Sequence, residues 1–344
     1  MSTVIPLVPA QFPESGRRTL LEADGIVVEG FRYSSGIEGM TVRSEALELD
    51  VLPFTGQQIW RARIGGRDLT MRSTFEEPVA SREYLESNGA YFIHCGGSAM
   101  GNPGRGDEHP LHGELPSARL GDVALELEGH ELRLRGGFTS RVAFGAYFRA
   151  ALSLRVRVGD TLIESHAELT NLSAEPRPLM YLAHINMLPA VGGRLVEEYE
   201  PGRRPVARGD VLVGGRPVPA ADLDSGAVDI EELLAPGVRV EPELVQTVPV
   251  AHPGGWSTVR QVHPTGHTDI VSFEHGDLTH TIRWLRRSAD DDAFGFALPA
   301  TAEADGLAAE TAKGHVRLYG PGESLRATIR HGSEPATPRE RSPE

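Results

Sequence analysis

The sequence predicts a mostly-β protein built from antiparallel sheets. Turn-forming residues are frequent, with 39 glycines and 25 prolines in 344 residues, so breaks leave little room for helices of ordinary length. Between the breaks lie short segments in which every second side chain is apolar. Residues 151–158 show this pattern, turn at 159–160 and return over 162–169. A period of two with one polar face is typical of antiparallel sheets, and many such segments indicate a sandwich.

The same signals predict the rest of the architecture. We expect less than ~15% helix, below the ~30% that is typical of globular proteins. Residues 15–332 are predicted to form a single domain, and the polar, proline-containing segment 333–344 is predicted to be disordered. The best helix candidate is 221–234. The other predicted strands cover residues 42–52, 123–128, 132–135, 315–319 and 324–329.

Composition and charge exclude several classes of function. The formal net charge is −14, and such a surface repels phosphate backbones, so nucleic acid is not an expected partner. Cys95 is the only cysteine, so the chain forms no internal disulfide and no cysteine zinc cage, and we expect a buried thiol. No signal-peptide pattern and no run of ~18 apolar residues is visible, so we expect a cytoplasmic protein with no membrane contact. Homo-oligomerisation is left open.

The segment 91–116 is the richest in groups that can do chemistry. Its glycines and prolines predict a long irregular loop, where binding residues tend to concentrate. The segment contains His94, Asn102, His109 and His112, together with three carboxylates. A solvated loop with polar turn residues is the alternative interpretation.

A second polar pair lies in the apolar segment 178–189. His184 and Asn186 are two residues apart, so they share one face of a predicted strand. A buried histidine in such a strand is often a satisfied core residue, whereas a histidine–asparagine pair facing a cleft would present a polar stripe to a ligand. The sequence shows no nucleophile elbow, P-loop or HExxH motif.

Several blocks of sequence resemble the aldose 1-epimerase superfamily, and more closely a poorly characterised, epimerase-like branch that is described only as a domain of unknown function. The blocks are YFIHCGGSAMGNP, LHGELPSA, the segment ending in LMYLAHINMLP, PELVQTV and YGPGES. They occur in the expected order and extend over nearly the whole domain. The resemblance implies an antiparallel β-supersandwich of the galactose mutarotase-like type. It also implies a cleft that binds a small-molecule carbohydrate.

The resemblance further implies roles for individual residues. In mutarotases one histidine protonates the ring oxygen, a glutamate takes the proton of the anomeric hydroxyl, and a second histidine and an asparagine or aspartate orient the sugar. His184 matches the acid and His112 the orienting histidine, and an imidazole near its usual pKa of ~6.5 can donate and accept at neutral pH. His94, Asn102 and Asn186 are further candidates for substrate binding. We expect His112 and His184 to converge in one cleft.

The basic glutamate of the family has no counterpart at its matching position. The family pattern is Gly-x-x-Glu-Pro, whereas this sequence reads GFALPAT from Gly295, which puts Leu298 in the place of the carboxylate. Glu243, in the Glu-x-Val element, is the candidate replacement. The leading hypothesis is therefore an aldose 1-epimerase-like isomerase without a cofactor, with His184 as acid and Glu243 as base.

Two other hypotheses remain open at this point. A metal-assisted sugar isomerase, epimerase or lyase would bind Zn or Mn through some of five residues, because imidazole and carboxylate ligands suit these ions. These residues are His94, His109, His112, His184 and Glu243. A sugar-binding protein without catalytic activity would instead keep the cleft and lack the base.

Overall fold

Two antiparallel sheets, packed on each other through one continuous apolar core, contain most of the chain. The computed structural model describes residues 2–336. Strand accounts for 49% of the residues and helix for 9%, which confirms the predicted fold class and the low helix content.

The strands are β1 (Ser2–Pro6), β2 (Arg18–Ala23), β3 (Ile26–Arg32), β4 (Glu38–Arg43), β5 (Leu47–Val51), β6 (Ile59–Ile64), β7 (Arg67–Asp68), β8 (Phe92–Gly97), β9 (Gly121–Glu128), β10 (Glu131–Arg141), β11 (Tyr147–Arg157), β12 (Leu162–Asn171), β13 (Arg177–Pro178), β14 (Met180–Ile185), β15 (Arg194–Val196), β16 (Val206–Ala207), β17 (Val211–Val213), β18 (Arg216–Val218), β19 (Val240–Thr247), β20 (Trp256–Val262), β21 (Thr268–Glu274), β22 (His280–Arg287), β23 (Asp292–Ala300), β24 (Leu318–Tyr319) and β25 (Ser324–Glu334). The α-helices are α1 (Ala220–Ser225), α2 (Ile230–Leu233) and α3 (Leu307–Lys313). Single 3₁₀ turns cover Pro9–Gln11, Tyr84–Glu86, Leu115–Ser117 and Pro253–Gly255.

The first sheet has nine strands in the order β1-β9-β10-β11-β12-β25-β21-β20-β15. The second has fourteen, twelve of them in the order β18-β17-β19-β22-β23-β14-β8-β6-β5-β4-β3-β2, with β16 beside β19 and β7 beside β6. The predicted hairpin is confirmed, because β11 and β12 pair from Phe148 opposite Asn171 to Arg155 opposite Glu164. The predicted strands at 123–128, 132–135 and 324–329 lie within β9, β10 and β25.

Three predicted elements are wrong for local reasons. The predicted strand 42–52 is divided between β4 and β5, because the Ser44 amide donates to the Leu47 carbonyl and closes a turn. The predicted helix 221–234 is two short helices, α1 and α2, because the chain leaves α1 at Gly226 in the left-handed conformation (φ 75°). The predicted loop 91–116 begins with strand β8.

The predicted ends of the domain also need correction. Strand β1 precedes residue 15 and pairs with β9, and β25 continues through Ser333 to Glu334, so both segments belong to the first sheet. Of the predicted disordered segment, residues 337–344 lie outside the described part of the chain. Within 315–319 only β24 is a strand, and it pairs with β13. Among the described residues no helix has the length and apolar character needed to cross a lipid bilayer.

Strand β14 is buried on both faces. Its side chains alternate between the face that packs on the first sheet and the face that is covered by the chain before β8. Ala183 lies opposite His94 of β8, and these side chains face the first sheet. Leu182 and His184 point the other way. There they are covered by the chain before β8, which inserts the buried side chain of Tyr84.

Two histidines lie between the sheets. His94 Nδ1 is 2.7 Å from the hydroxyl of Tyr181, and His331 of β25 contacts Ser165 at 2.9 Å and Tyr91 at 3.1 Å. Burial lowers the pKa of each imidazole to about 3, because a charged ring would lose its hydration. Both side chains are therefore neutral parts of the core at physiological pH.

These two histidines should make the fold sensitive to acid. Between pH 6.5 and 3 the unfolded chain binds protons at both imidazoles and the folded chain does not, so the free energy of unfolding should fall as the pH decreases. The slope is at most about 1.4 kcal/mol per pH unit for each histidine. Urea titrations at pH 7 and pH 5 measure it, and His331→Gln should reduce it. The exposed His130→Gln is the control, and an equal effect from both variants would contradict the explanation.

Candidate functional site

A cleft of about 190 Å³ opens on the face of the second sheet that is turned away from the first. Its floor comes from β14, β19, β22 and β23, and its rim from the chain before β8 and from the loops after β8 and β16. The polar residues that line the cleft are Tyr84, Asn88, Asn102, His112, His184, Arg208, Glu243 and Trp284.

The ring of His184 is fixed by a short chain of hydrogen bonds. The Asn186 amide nitrogen donates to the Ala90 carbonyl at 2.9 Å, which orients the amide oxygen toward His184. His184 Nδ1 lies 2.6 Å from that oxygen and is therefore the donor. In the neutral ring the lone pair is then on Nε2. Asn186 itself is fully buried behind His184 and does not line the cleft. The structure thus places Asn186 against the histidine and outside the cleft lining.

Burial determines the charge of His184. It lowers the pKa of the imidazole to about 4, and the hydrogen bond with Asn186 opposes this shift only in part. The expectation of a pKa near 6.5 is therefore wrong. At neutral pH the ring is a proton acceptor at Nε2.

His112 enters the cleft from an unusual backbone conformation. Its φ is 61°, which is uncommon for a residue with a side chain. Its amide donates to the Gly101 carbonyl at 3.1 Å, and its carbonyl accepts from the Gly96 amide at 2.7 Å. A side chain on Gly113 would overlap the Gly96 carbonyl, so this glycine is required by close approach of the backbone. The glycines of the 91–116 segment therefore position His112.

The two imidazoles converge as expected. The rings of His112 and His184 lie 5.4 Å apart in a T-shaped arrangement, and Tyr84 is 4.6 Å from His112. Burial, reinforced by His184 and Arg208, lowers the pKa of His112 well below its usual value. Within residues 2–336, His112 Nδ1 and Asn88 Oδ1 have no hydrogen-bond partner although both are buried. A ligand with hydroxyl groups could supply partners for them.

Glu243 lies at the exposed mouth of the cleft, on β19. Its Oε2 accepts a hydrogen bond from Trp284 Nε1 at 2.6 Å, and the Trp284 ring is 5.4 Å from that of His184. Trp284 thus connects the carboxylate to the histidine pair. An indole at this position also offers a flat apolar surface of the kind on which sugar rings can pack.

Arg208 brings a positive charge to the rim. Its guanidinium binds Asp305 at 2.7 Å, and the same carboxylate is held by Lys313 at 2.6 Å. Arg203 and Arg204, its neighbours in sequence, line a different cleft.

Among the apolar residues that line the cleft, the three most deeply buried form what we call the aliphatic floor: Leu182 of β14, Ile282 of β22 and Leu298 of β23. Leu85, Leu111, Val245 and Ala304 also line the cleft. Ile282 and Leu298 are paired across the ladder, so they share one face. The position that carries the basic glutamate in the resembling family is therefore part of the floor.

Two of the predicted site residues lie elsewhere. His94 pairs with Ala183, whereas its neighbours Ile93 and Cys95 pair with the cleft-lining His184 and Leu182. Because successive side chains of a strand point to opposite faces, His94 faces the first sheet and lies outside the cleft lining. His109 Nδ1 contacts the Pro110 carbonyl at 2.8 Å. Its Nε2 accepts a hydrogen bond from the amide of Leu307, the first residue of α3, at 3.4 Å. Asn102 does line the cleft, at its exposed rim.

The metal hypothesis requires donor atoms that surround one ion. In the described part of the chain, the group of three with donor atoms within 4.8 Å of one another is Glu303, Glu310 and His315. His112, His184 and Glu243 do not form such a group. The ammonium group of Lys313 already bridges both carboxylates of the group that does.

Three contributors were not predicted from sequence: Tyr84, Asn88 and Trp284. The first two lie in the irregular chain before β8, where no pattern indicates which side chains face inward. Trp284 could have been found, because Ile282 and Trp284 alternate with the polar Thr281 and Arg283 in the segment THTIRWL, which predicts that the indole shares a strand face with Ile282.

Fold and site together define a β-sandwich protein with a histidine-containing cleft on one sheet. A family model described as a domain of unknown function, DUF4432, matches residues 34–331, so the chain belongs to that family. None of the curated proteins with which the chain was compared matches it.

Solved structures of similar fold confirm the galactose mutarotase-like architecture. A proposed aldose 1-epimerase from Klebsiella pneumoniae is 16% identical, with 97% of this chain and 91% of that chain covered and a TM-score of 0.76. A galactose mutarotase-like protein from Clostridium acetobutylicum is 10% identical, with 91% and 99% covered and a TM-score of 0.63. At these identities the similarity establishes the fold alone.

The hydrogen bond between His184 and Asn186 can be tested directly. Asn186→Asp should raise the pKa of His184 by at least about one unit, because it puts a carboxylate beside Nδ1. Side-chain NMR of the histidines over a pH titration measures the shift. Asn102→Asp at the exposed rim is the control and should have a smaller effect, since water screens its charge. Equal shifts in both variants would argue against the assigned contact.

Proposed function

We propose that this protein is an aldose 1-epimerase-like isomerase that acts on a free monosaccharide or a related sugar. The observation that carries the proposal is the meeting of His112 and His184 in one cleft, 5.4 Å apart, with a carboxylate at the mouth. His112 Nδ1 and Asn88 Oδ1, which have no hydrogen-bond partner among the described residues, would form hydrogen bonds with sugar hydroxyl groups. The apolar face of the sugar ring would pack on the Trp284 indole.

In this proposal His184 is the central proton-transfer group. Its Nε2 takes the proton of the anomeric hydroxyl O1 as the bond between C1 and the ring oxygen breaks. The imidazolium then gives that proton to the ring oxygen. The open-chain aldehyde rotates about its C1–C2 bond, and the reverse steps close the ring to the other anomer. No proton is gained or lost overall.

Glu243 is the second proton acceptor in this proposal. Trp284 holds one oxygen of its carboxylate and so orients the other. A base at this position would compensate for Leu298. In this route the reacting form carries a second proton on His184, which passes from Nε2 to the ring oxygen while Glu243 takes the proton of O1, and both transfers reverse when the ring closes.

A sugar-binding protein without catalytic activity is the second candidate function. The supporting observation is that Leu298, a side chain that cannot take a proton, is part of the aliphatic floor and is only 1% exposed. The cleft would then orient a sugar and leave its anomers to interconvert at the spontaneous rate.

The variant Glu243→Gln tests which group is the base. If Glu243 takes the anomeric proton, kcat should fall by about 10² to 10⁴ with little change in KM. Polarimetry of pure anomers, corrected for the spontaneous rate, measures both constants. Glu241→Gln on the same strand, outside the cleft, is the matched control. Full activity of Glu243→Gln would assign the base to His184, and a wild-type protein that binds sugar without accelerating exchange would favour the second function.

The pH dependence tests the charge state of His184. If the neutral ring is the active form, kcat/KM should stay constant from pH 8 to about pH 5 and decline as the pH approaches 4. Activity that rises steadily toward pH 4 would mean that the protonated ring is required.

The variant His184→Gln tests whether this histidine acts in the site. It should abolish activity or sugar binding and leave the Tm nearly unchanged. A large loss of stability without loss of function would make His184 a core residue only.

A further inference from the structure

Resting on the function proposed above, we propose that the natural ligand is a deoxy sugar, with the CH₂ or CH₃ group that takes the place of a CHOH or CH₂OH group packed on the aliphatic floor. This inference names the substrate class that the cleft favours. The inference depends on the residues that form the floor, and the proton-transfer groups are not part of the floor.

The floor provides no hydrogen-bonding group. Leu182, Ile282 and Leu298 are 1%, 3% and 1% exposed, and they come from three adjacent strands. The backbones of these strands are paired in the ladder, with Leu182 opposite Ala300 and Ile282 opposite Leu298. A sugar hydroxyl placed here would lose its contacts with water and find no partner.

The floor is fixed in shape. The ladder between β22 and β23 contains a bulge, because Ile282 faces Leu298 whereas Trp284 faces Gly295. A Cβ atom on Gly295 would lie 2.7 Å from a methyl carbon of Leu298, so the leucine side chain lies directly over the glycine. Since the leucine occupies a space that only glycine provides, it is a packed part of the cleft and not a loosely placed side chain.

Polar groups also line the cleft around the floor, and Leu85, Leu111, Val245 and Ala304 add apolar surface outside the floor. His112, His184 and Glu243 approach from other sides, and Arg208 stands at the rim. A wholly apolar ligand would leave these groups without partners. A fully hydroxylated sugar would put a hydroxyl on the floor. A sugar that lacks one hydroxyl satisfies both surfaces.

Matched sugar pairs that differ by one hydroxyl test the inference on the wild-type protein. The pairs are D-fucose with D-galactose, L-rhamnose with L-mannose, 2-deoxy-D-glucose with D-glucose, and 2-deoxy-D-ribose with D-ribose. We expect the deoxy member of at least one pair to have a kcat/KM higher by about 10- to 100-fold, the discrimination that an apolar pocket gives against a hydroxyl. The dissociation constants from calorimetry should show the same preference if the protein binds without catalysis.

The outcomes separate this inference from the proposed function. If sugars are interconverted and no deoxy member is preferred, the inference fails and the proposed function stands. If sugars are bound without interconversion and no deoxy member is preferred, the inference fails and the result favours the sugar-binding function. If no sugar in the panel is bound or interconverted, both fail.

A pair of variants locates the preference. Leu298→Gln brings an amide to the floor and should reduce the deoxy preference at least about tenfold, because the hydroxyl then has a partner. Leu85→Gln is the matched control, since Leu85 lines the same cleft but is 69% exposed, and it should keep the wild-type ratio. An unchanged ratio in a folded Leu298→Gln protein would overturn the assignment to the floor. If that variant does not fold, the wild-type comparison of sugar pairs decides.

Discussion

The burial of β14 on both faces is the constraint on which the site depends. Odd-numbered residues such as Tyr181 and Ala183 complete the core between the sheets, so the even-numbered ones must face the cleft. His184 is held in that position by the whole ladder, because a shift of one residue would exchange the two faces. The hydrogen bond to Asn186 adds a fixed ring orientation to a fixed strand. The imidazole is thus preorganised by the same packing that stabilises the sandwich.

The same burial determines what kind of chemistry is available. Burial keeps both imidazoles neutral at neutral pH, and His184, 5.4 Å from His112, further lowers the tendency of His112 to bind a proton. At neutral pH the cleft therefore contains proton acceptors next to apolar surface. Such a site suits a neutral ligand whose own hydroxyl supplies the proton that moves.

The sequence predicted the features that depend on local periodicity. Alternation identified the fold class and the β11–β12 hairpin, and the motifs of the family led to His112 and His184. It could not assign the face on which His94 lies, because the parity of a strand is set by its pairing partners. It could not find Tyr84 or Asn88 either, since irregular chain carries no periodic signal and the cleft that they line is assembled from distant segments.

The contact of Arg208 with Asp305 has a consequence for experiments on this molecule. Asp305 also forms an ion pair with Lys313, the only lysine in the chain. The Asp305 carboxylate therefore lies between the Arg208 guanidinium at the cleft rim and the only side-chain amine. Reagents that modify amines would therefore act on the side chains of this chain at a single place. A fluorophore attached there would lie close to the rim of the cleft.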